Sequence, residues 1–273
     1  MCRLFALRAN QPTRVEKSLL SGPHSLQKQS CCDRRGVCHD SGWGIGYYLH
    51  DRPCLTRSAL SARTDPLYPK LAETIASPTV LAHVRLASTG TIAEKNSHPF
   101  THGRWLFAHN GTLFGFAGNP ERLRRLIPGH LLNKIQGDTD SEHAFYFILA
   151  QLEQVAGSLA VCPGADRVGQ VLAATIRTLV ELYPGEREEL SQCNFLLTNG
   201  RVMAASRWRH SLFWLERHGQ PPADADQPLE PGAAYHAVAI ASEPTTKEAW
   251  TELKDSTMLL VETDGTVCLA PIS

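Results

Sequence analysis

An α+β fold with largely antiparallel sheets is predicted by three observations on this 273-residue chain. Short apolar runs come first, two long amphipathic stretches fill the middle, and short apolar runs return towards the C-terminus. That order, strands then helices then strands, is not the alternation a parallel βαβ sheet requires. Asn-Gly or Asp-Gly also follows or separates apolar runs at Asn110-Gly111, Asn199-Gly200 and Asp264-Gly265, a strong short hairpin signal. The length suits one large domain over residues 2–273, with elaborated C-terminal strands from about residue 193.

The first strand runs from Cys2 to Leu7. A second, Gly42 to Leu49, is glycine-rich enough to let other backbone approach closely, and the stretch between them, Ser21 to Asp40, is polar and cysteine-bearing. Leu67, Leu71 and Ile75 fall four apart on one face of a helix from Pro66 to Ala76, which Pro78 ends. Thr79 to Leu86 and Arg104 to His109 alternate as strands, the latter leading into a hairpin-like turn at Asn110-Gly111. Phe145, Leu149 and Leu152 stripe a helix from Thr139 to Val155, whose first turn carries Asp140, Ser141 and Glu142. Val168, Val171, Leu172, Ile176 and Leu179 stripe another from Arg167 to Leu182. Strands follow at Asn194 to Leu197, Val202 to Ser206, Leu212 to Glu216, Tyr235 to Ala241 and Met258 to Val261. Between the third and fourth of these, His218 to Gly232 holds four prolines and no periodicity, and reads as a loop.

Composition excludes several classes. The 27 basic and 27 acidic residues cancel, so the chain lacks the positive footprint that nucleic-acid or anionic-membrane binding needs. No apolar run approaches the roughly 18 residues of a membrane span, and the N-terminus lacks a secretory pattern, so a cytoplasmic protein is expected. The eight cysteines then read as free thiols. Cys31, Cys32, Cys38 and His39 lie close together, but their spacing fits no pair of C-x2-C knuckles, and no metal or other cofactor is expected.

Position 2 carries the chemistry. Loss of the initiator would leave a cysteine whose thiol, with an ordinary pKa near 8.5, stands beside an α-amine of about 7.7–8.0, so nucleophile and base share one residue. The alternative is a small residue in a first strand. Acyl transfer also needs oxyanion donors, and Asn110-Gly111 supplies a side-chain amide and an unhindered N–H, or else forms a plain type I′ turn. Arg85 either clamps a carboxylate or ends its strand exposed, and Asp140 either accepts an ammonium or serves the helix N-terminus. Read together, these groups describe a pocket for an α-amino acid whose side-chain amide is cleaved: glutamine or a γ-glutamyl compound.

The same residues carry a family resemblance. Met1-Cys2-Arg3-Leu4, Asp40-Ser41-Gly42-Trp43-Gly44, Ala82-His83-Val84-Arg85, Asn96-Ser97-His98-Pro99-Phe100, Ala108-His109-Asn110-Gly111 and Gly137-Asp138-Thr139-Asp140-Ser141-Glu142 occur in the order and approximate spacing of class II glutamine amidotransferases, in their stand-alone YafJ-like branch. The resemblance implies a four-layer αββα sandwich of the N-terminal-nucleophile hydrolase type. It also implies Cys2 as nucleophile, Asn110 and Gly111 as oxyanion donors, Arg85 as α-carboxylate ligand and Asp140 as α-amino ligand. Ser88 stands where some members have Thr, and His98 is either pocket-shaping or structural. Trp43 either packs beside the nucleophile or belongs to the core. No ammonia-consuming domain is recognised, so the released amine is either passed to a separate enzyme or simply hydrolysed from a γ-glutamyl conjugate, as in ergothioneine or glutathione metabolism. An inactive binding module of the same fold is the remaining alternative.

Overall fold

In a computed structural model, residues 2–31, 36–186, 189–219 and 234–272 of the chain are described. The elements are β1 (Arg3–Arg14), α1 (Leu26–Cys31), β2 (Trp43–Leu49), β3 (Arg52–Ser58), α2 (Leu67–Thr74), β4 (Ala76–Val84), β5 (Phe100–His102) and β6 (Trp105–Asn110). Four helices follow, α3 (Glu121–Arg124), α4 (Gly129–Leu132), α5 (Asp140–Ala156) and α6 (Ala165–Leu182). The chain then forms β7 (Gly185–Glu186), β8 (Glu189–Leu190), β9 (Asn194–Thr198), β10 (Met203–Arg207) and β11 (Phe213–Gly219). It finishes with β12 (Tyr235–Ala241), β13 (Thr251–Glu252), β14 (Thr257–Val261) and β15 (Val267–Pro271).

All the strand pairings are antiparallel. They build a seven-stranded sheet in the order β13-β11-β12-β1-β4-β2-β3 and a six-stranded sheet in the order β15-β14-β10-β9-β6-β5, while β7 and β8 pair as a separate ribbon. Three cores show how the layers stack. Phe5, Leu7 and Ala9 of β1 join Ile45, Val80 and Val84 against Tyr68 and Ala72 of α2 and Leu26 of α1. Leu4 and Ala6, one position out of phase, instead meet Leu106 and Ala108 of β6, Leu196 of β9 and Leu259 of β14 in the space between the sheets. On the far side Phe107, Phe195, Ala204 and Leu260 pack against Phe145, Leu149, Leu172 and Ile176 of α5 and α6. Because strand side chains alternate, each central strand fills two cores, and the result is helix, sheet, sheet, helix. The αββα sandwich is thus what the chain forms.

The element boundaries sharpen the sequence reading. β1 runs on to Arg14, twice the expected length, because Thr13 and Arg14 pair again with Ser77 and Ala76 beyond a register shift. β3 escaped notice since Pro53 and its half-buried pattern disguise it, and it lies on the sheet edge where proline is tolerated. Thr139 caps α5 by accepting the Glu142 N–H, and Gly157 closes it in the left-handed conformation. His218 and Gly219, expected in a loop, complete β11, where His218 lies opposite His236; the rest of that expected loop, 220–232, lies outside the described residues. The close approach expected at the glycines of β2 is real. A Cβ on Gly44 would sit 2.2 Å from the His98 carbonyl oxygen. Gly44→Ala is expected to cost about 1–3 kcal/mol in chemical denaturation, as overpacking does, whereas Gly129→Ala, with nothing within 4 Å of the new methyl, should not lower stability.

Candidate active site

Four strand ends meet at one edge of the sandwich. Cys2 precedes β1. Arg85 follows β4, whose Val84 lies opposite Arg3, and Ser242 follows β12, its N–H bonded to the Leu4 carbonyl at 3.1 Å. Asn110 closes β6 in the facing sheet. All four are buried, Cys2 at 9% exposure and Arg85, Asn110 and Ser242 at 3% or less.

The Cys2 Sγ sits 3.4 Å from both the N–H and the carbonyl oxygen of Leu86. Burial pushes its pKa up, against smaller downward pulls from the Leu86 backbone and the Arg85 guanidinium, while Asp140 adds to the rise. A thiol held protonated in this way needs a base before it can attack. Arg3 steadies the residue by donating Nη1 to the Cys2 carbonyl at 3.0 Å and Nη2 to Glu243 Oε1 at 2.8 Å.

Asn110 donates Nδ2 to Ser242 Oγ at 3.2 Å, and the same hydroxyl oxygen accepts the Leu4 N–H at 3.0 Å, so one serine ties β1 in one sheet to β6 in the other. The second hydrogen of Nδ2 remains for another acceptor. The hairpin turn expected at Asn110-Gly111 is not formed: Asn110 is still in the ladder, opposite Asn194, and lacks the positive φ that a type I′ turn demands. Gly111 is required for a different reason, since a Cβ there would lie 2.2 Å from the Gln192 carbonyl oxygen. That carbonyl accepts His109 Nε2–H at 2.8 Å, which leaves His109 Nδ1 to accept from the Ser141 hydroxyl at 2.9 Å.

Asp140 opens α5 and reaches back to the loop after Gly111. Its Oδ2 accepts the Leu113 N–H at 2.7 Å and its Oδ1 the Ser141 N–H at 2.9 Å. Ser88 touches the same loop through Thr112 Oγ1 at 2.9 Å. Arg85 donates Nη2 to the Thr89 carbonyl at 2.8 Å and Nη1 to that of Thr91 at 2.9 Å, leaving three of its five N–H donors unengaged within the protein. His98 joins the group through His83, which stands two residues before Arg85 and meets its Nδ1 at 2.9 Å. Both imidazoles titrate well below the usual histidine range, chiefly because burial disfavours their charged forms. His98 Nε2 and Asn110 Oδ1 are buried without a partner. Trp43 belongs to the core on the opposite face of its sheet, its indole N–H on Asp65 and its ring edge-on to Tyr68. Of the sequence-noted cysteine cluster, Cys38 Sγ lies on the Cys31 carbonyl and Cys32 falls outside the described residues.

A family model described as glutamine amidotransferases class-II matches residues 1–271. The chain belongs to the class II glutamine amidotransferases. It is 32% identical over 227 residues to the probable glutamine amidotransferase DUG3 of Saccharomyces cerevisiae, covering 76% of this chain and 64% of that one. It is 30% identical to the putative glutamine amidotransferase YafJ of Escherichia coli, covering 80% of this chain and 76% of that one. The gamma-glutamyl-hercynylcysteine sulfoxide hydrolase of Mycobacterium tuberculosis is 27% identical, with 99% of this chain and 97% of the other covered. Among solved structures, a glutamine aminotransferase class-II domain protein from Silicibacter pomeroyi superposes with a TM-score of 0.66 at 20% identity over 99% of both chains, a likeness of fold.

Within this amidotransferase the structure adds residues that sequence reasoning passed over. Ser242 is one, and its position directly after the apolar run of β12 was the available signal. His83 is another, two residues from Arg85 and so on the same strand face. Ser242→Ala leaves the buried Leu4 N–H without its acceptor and is expected to cost about 1–3 kcal/mol, read from denaturant midpoints. The buried histidines set a pH dependence. Their folded pKa values are depressed, so as pH falls below about 6.5 the unfolded chain binds protons that the folded chain refuses. Stability is therefore fully present above that pH and falls below it, by about 1.4 kcal/mol per pH unit for each histidine. Denaturation series from pH 7.5 to 5.5 should show this slope, and His98→Gln should flatten it.

Proposed function

We infer that this class II amidotransferase hydrolyses the amide of a γ-glutamyl compound through a thioester on Cys2, and that residues 2–273 act as one catalytic domain. The observation that carries the reading is the meeting of Cys2, Arg85, Asn110 and Asp140 at one buried end of the sandwich. Removal of Met1 frees an α-amine on Cys2, the base that the protonated thiol lacks. The amine takes the Sγ proton, and the thiolate attacks the γ-carbonyl carbon. The oxygen becomes an oxyanion facing the spare Nδ2–H of Asn110 and the Gly111 N–H. The ammonium on Cys2 returns its proton to the leaving nitrogen, the C–N bond breaks, and water then attacks the thioester to release glutamate and the thiol. The three unengaged donors of Arg85 suit the substrate α-carboxylate, and the outstanding acceptor capacity of Asp140 suits its ammonium. Ser88 lines the rim through Thr112, and His98 shapes the wall through His83.

Two fates for the leaving group differ in substrate. Delivery of ammonia from glutamine requires a separate accepting enzyme, whereas hydrolysis of a γ-glutamyl conjugate does not. The end-to-end match to the mycobacterial hydrolase supports the conjugate. Unpaired thiols at all seven described cysteines suit a reducing cytoplasm, and no helix among the described residues is long and apolar enough to cross a membrane.

The test measures glutamate release from glutamine and from a γ-glutamyl amine with a large leaving group, on protein whose intact mass shows Met1 removed. A higher kcat/KM for the conjugate is expected, and a preference for glutamine would instead favour ammonia delivery. Cys2→Ala should abolish release, Asn110→Ala should lower kcat about 10²–10³-fold, and Arg85→Lys should chiefly raise KM. Turnover that survives Cys2→Ala would sink the nucleophile assignment.

A further inference from the structure

At the other end of β12 stands a cluster unrelated to the chemistry above. Glu216 and His218 lie two apart on β11 and so share a face, and His236 on β12 is the direct cross-strand partner of His218. That face is the one Trp214, Val238 and Ile240 turn towards the second sheet, so the cluster sits in the seam between the sheets. Ser242 lies six positions beyond His236, roughly 20 Å along the strand direction.

The three side chains are organised around one point. His236 Nε2 lies 2.9 Å from Glu216 Oε1, and His218 Nε2 lies 3.3 Å from the same oxygen. The imidazoles stack nearly parallel, 4.6 Å apart with 9° between planes. His236 is also backed by the opposite sheet: a Cβ on Gly265, in the turn between β14 and β15, would fall 2.3 Å from its Nδ1. Asp264 in that turn adds negative charge; its carboxyl is held below the usual range first by the Thr266 N–H, with His236 contributing.

We propose that Glu216, His218 and His236 form a binding site for a divalent transition cation of the zinc type, joining β11 and β12 beside the β14–β15 turn. The one ligand atom each residue offers lies within 4.8 Å of the others. With the 2.9 Å and 3.3 Å separations, this range brackets the roughly 3.4 Å that tetrahedral bonds of about 2.1 Å impose. Two imidazole nitrogens and one carboxylate oxygen suit zinc, nickel or copper and suit magnesium or calcium poorly. Among the described residues the Glu216 carboxylate meets the two imidazoles and no lysine or arginine, so an ion meets no competing fixed cation there. The exposed side of His218 leaves room for water as a fourth ligand. Positions 216, 218 and 236 have no ligand spacing along the chain, which is why only the strand register reveals the site.

Zinc chloride titrated into the full chain, without a histidine tag, by calorimetry and by thermal melting tests the site. One equivalent should bind and raise the melting temperature, because a ligand of the folded state alone stabilises it by mass action. His236→Ala and His218→Ala should each weaken binding about tenfold or more, with Glu216→Gln as a milder variant should either alanine disturb folding. His130→Ala, which alters a different imidazole–carboxylate pair, should leave binding unchanged. Cobalt substituted for zinc should show nitrogen and oxygen ligation without a thiolate charge-transfer band. No binding, binding indifferent to all three cluster variants, or a thiolate band would each overturn the proposal.

Discussion

The antiparallel ladder on both sides of β1 is the constraint on which the rest of the molecule depends. β1 lies in the middle of its sheet, with β4 on one side and β12 on the other, and its side chains alternate between two cores. A slip of one residue would send Leu4 and Ala6 to the helix side and Phe5 and Leu7 between the sheets, emptying both cores at once. Correct filling of two apolar layers therefore fixes the register. Register in turn places Cys2 beside the Arg85 end of β4, and Ser242 against Leu4. The nucleophile candidate is positioned by packing far larger than any interaction it makes itself.

The polar end of the sandwich is the counterpart of that packing. Arg85, Asp140, Asn110 and the histidine pair are all removed from water, and each would be costly if left unpaired. The loops that follow the strands supply the partners. The carbonyls of Thr89 and Thr91 take two guanidinium donors, the Leu113 N–H meets Asp140, and Ser242 serves Asn110 and Leu4 together. Desolvation keeps His83 and His98 neutral, so the guanidinium of Arg85 is not met by a second cation from its own strand. Three buried atoms stay unpartnered there, Asn110 Oδ1, His98 Nε2 and His83 Nδ1, and mark where satisfaction stops. A rigid frame with adaptable loop ends allows such an arrangement without disturbing the cores.

Legibility followed the strength of the local signal. Helices α5 and α6 were readable because each carries an apolar stripe over four or more turns, and Thr139 with Glu142 marks a start in a form the chain states locally. The strands were readable where alternation was clean, as in β4 and β6. The far half of β1 was not, because Asn10, Gln11 and Pro12 carry no apolar alternation, and the ladder resumes only at Thr13 and Arg14, beyond a register shift, on Ser77 and Ala76. The Asn110-Gly111 turn was misread for a related reason: the dipeptide favours a hairpin, but β9 takes the ladder position beside β6 as far as Asn110, and Gly111 lies against the Gln192 carbonyl.

What the sequence determined by itself is the set of chemically capable residues, the antiparallel class of the fold and the family, because alternation, helical periodicity and ordered motifs are written within short windows. What only the tertiary structure decided is which of those residues share a space. Ser242 bridges to Asn110, His83 carries His98, Trp43 turns away from Cys2, and His236 meets Glu216 and His218 across two strands. These contacts join positions from 15 to 132 residues apart, and the distances along the chain hold no trace of them. They arise when two sheets close on a common core, since the side on which each strand points is set by burial and the neighbour it meets is set by register.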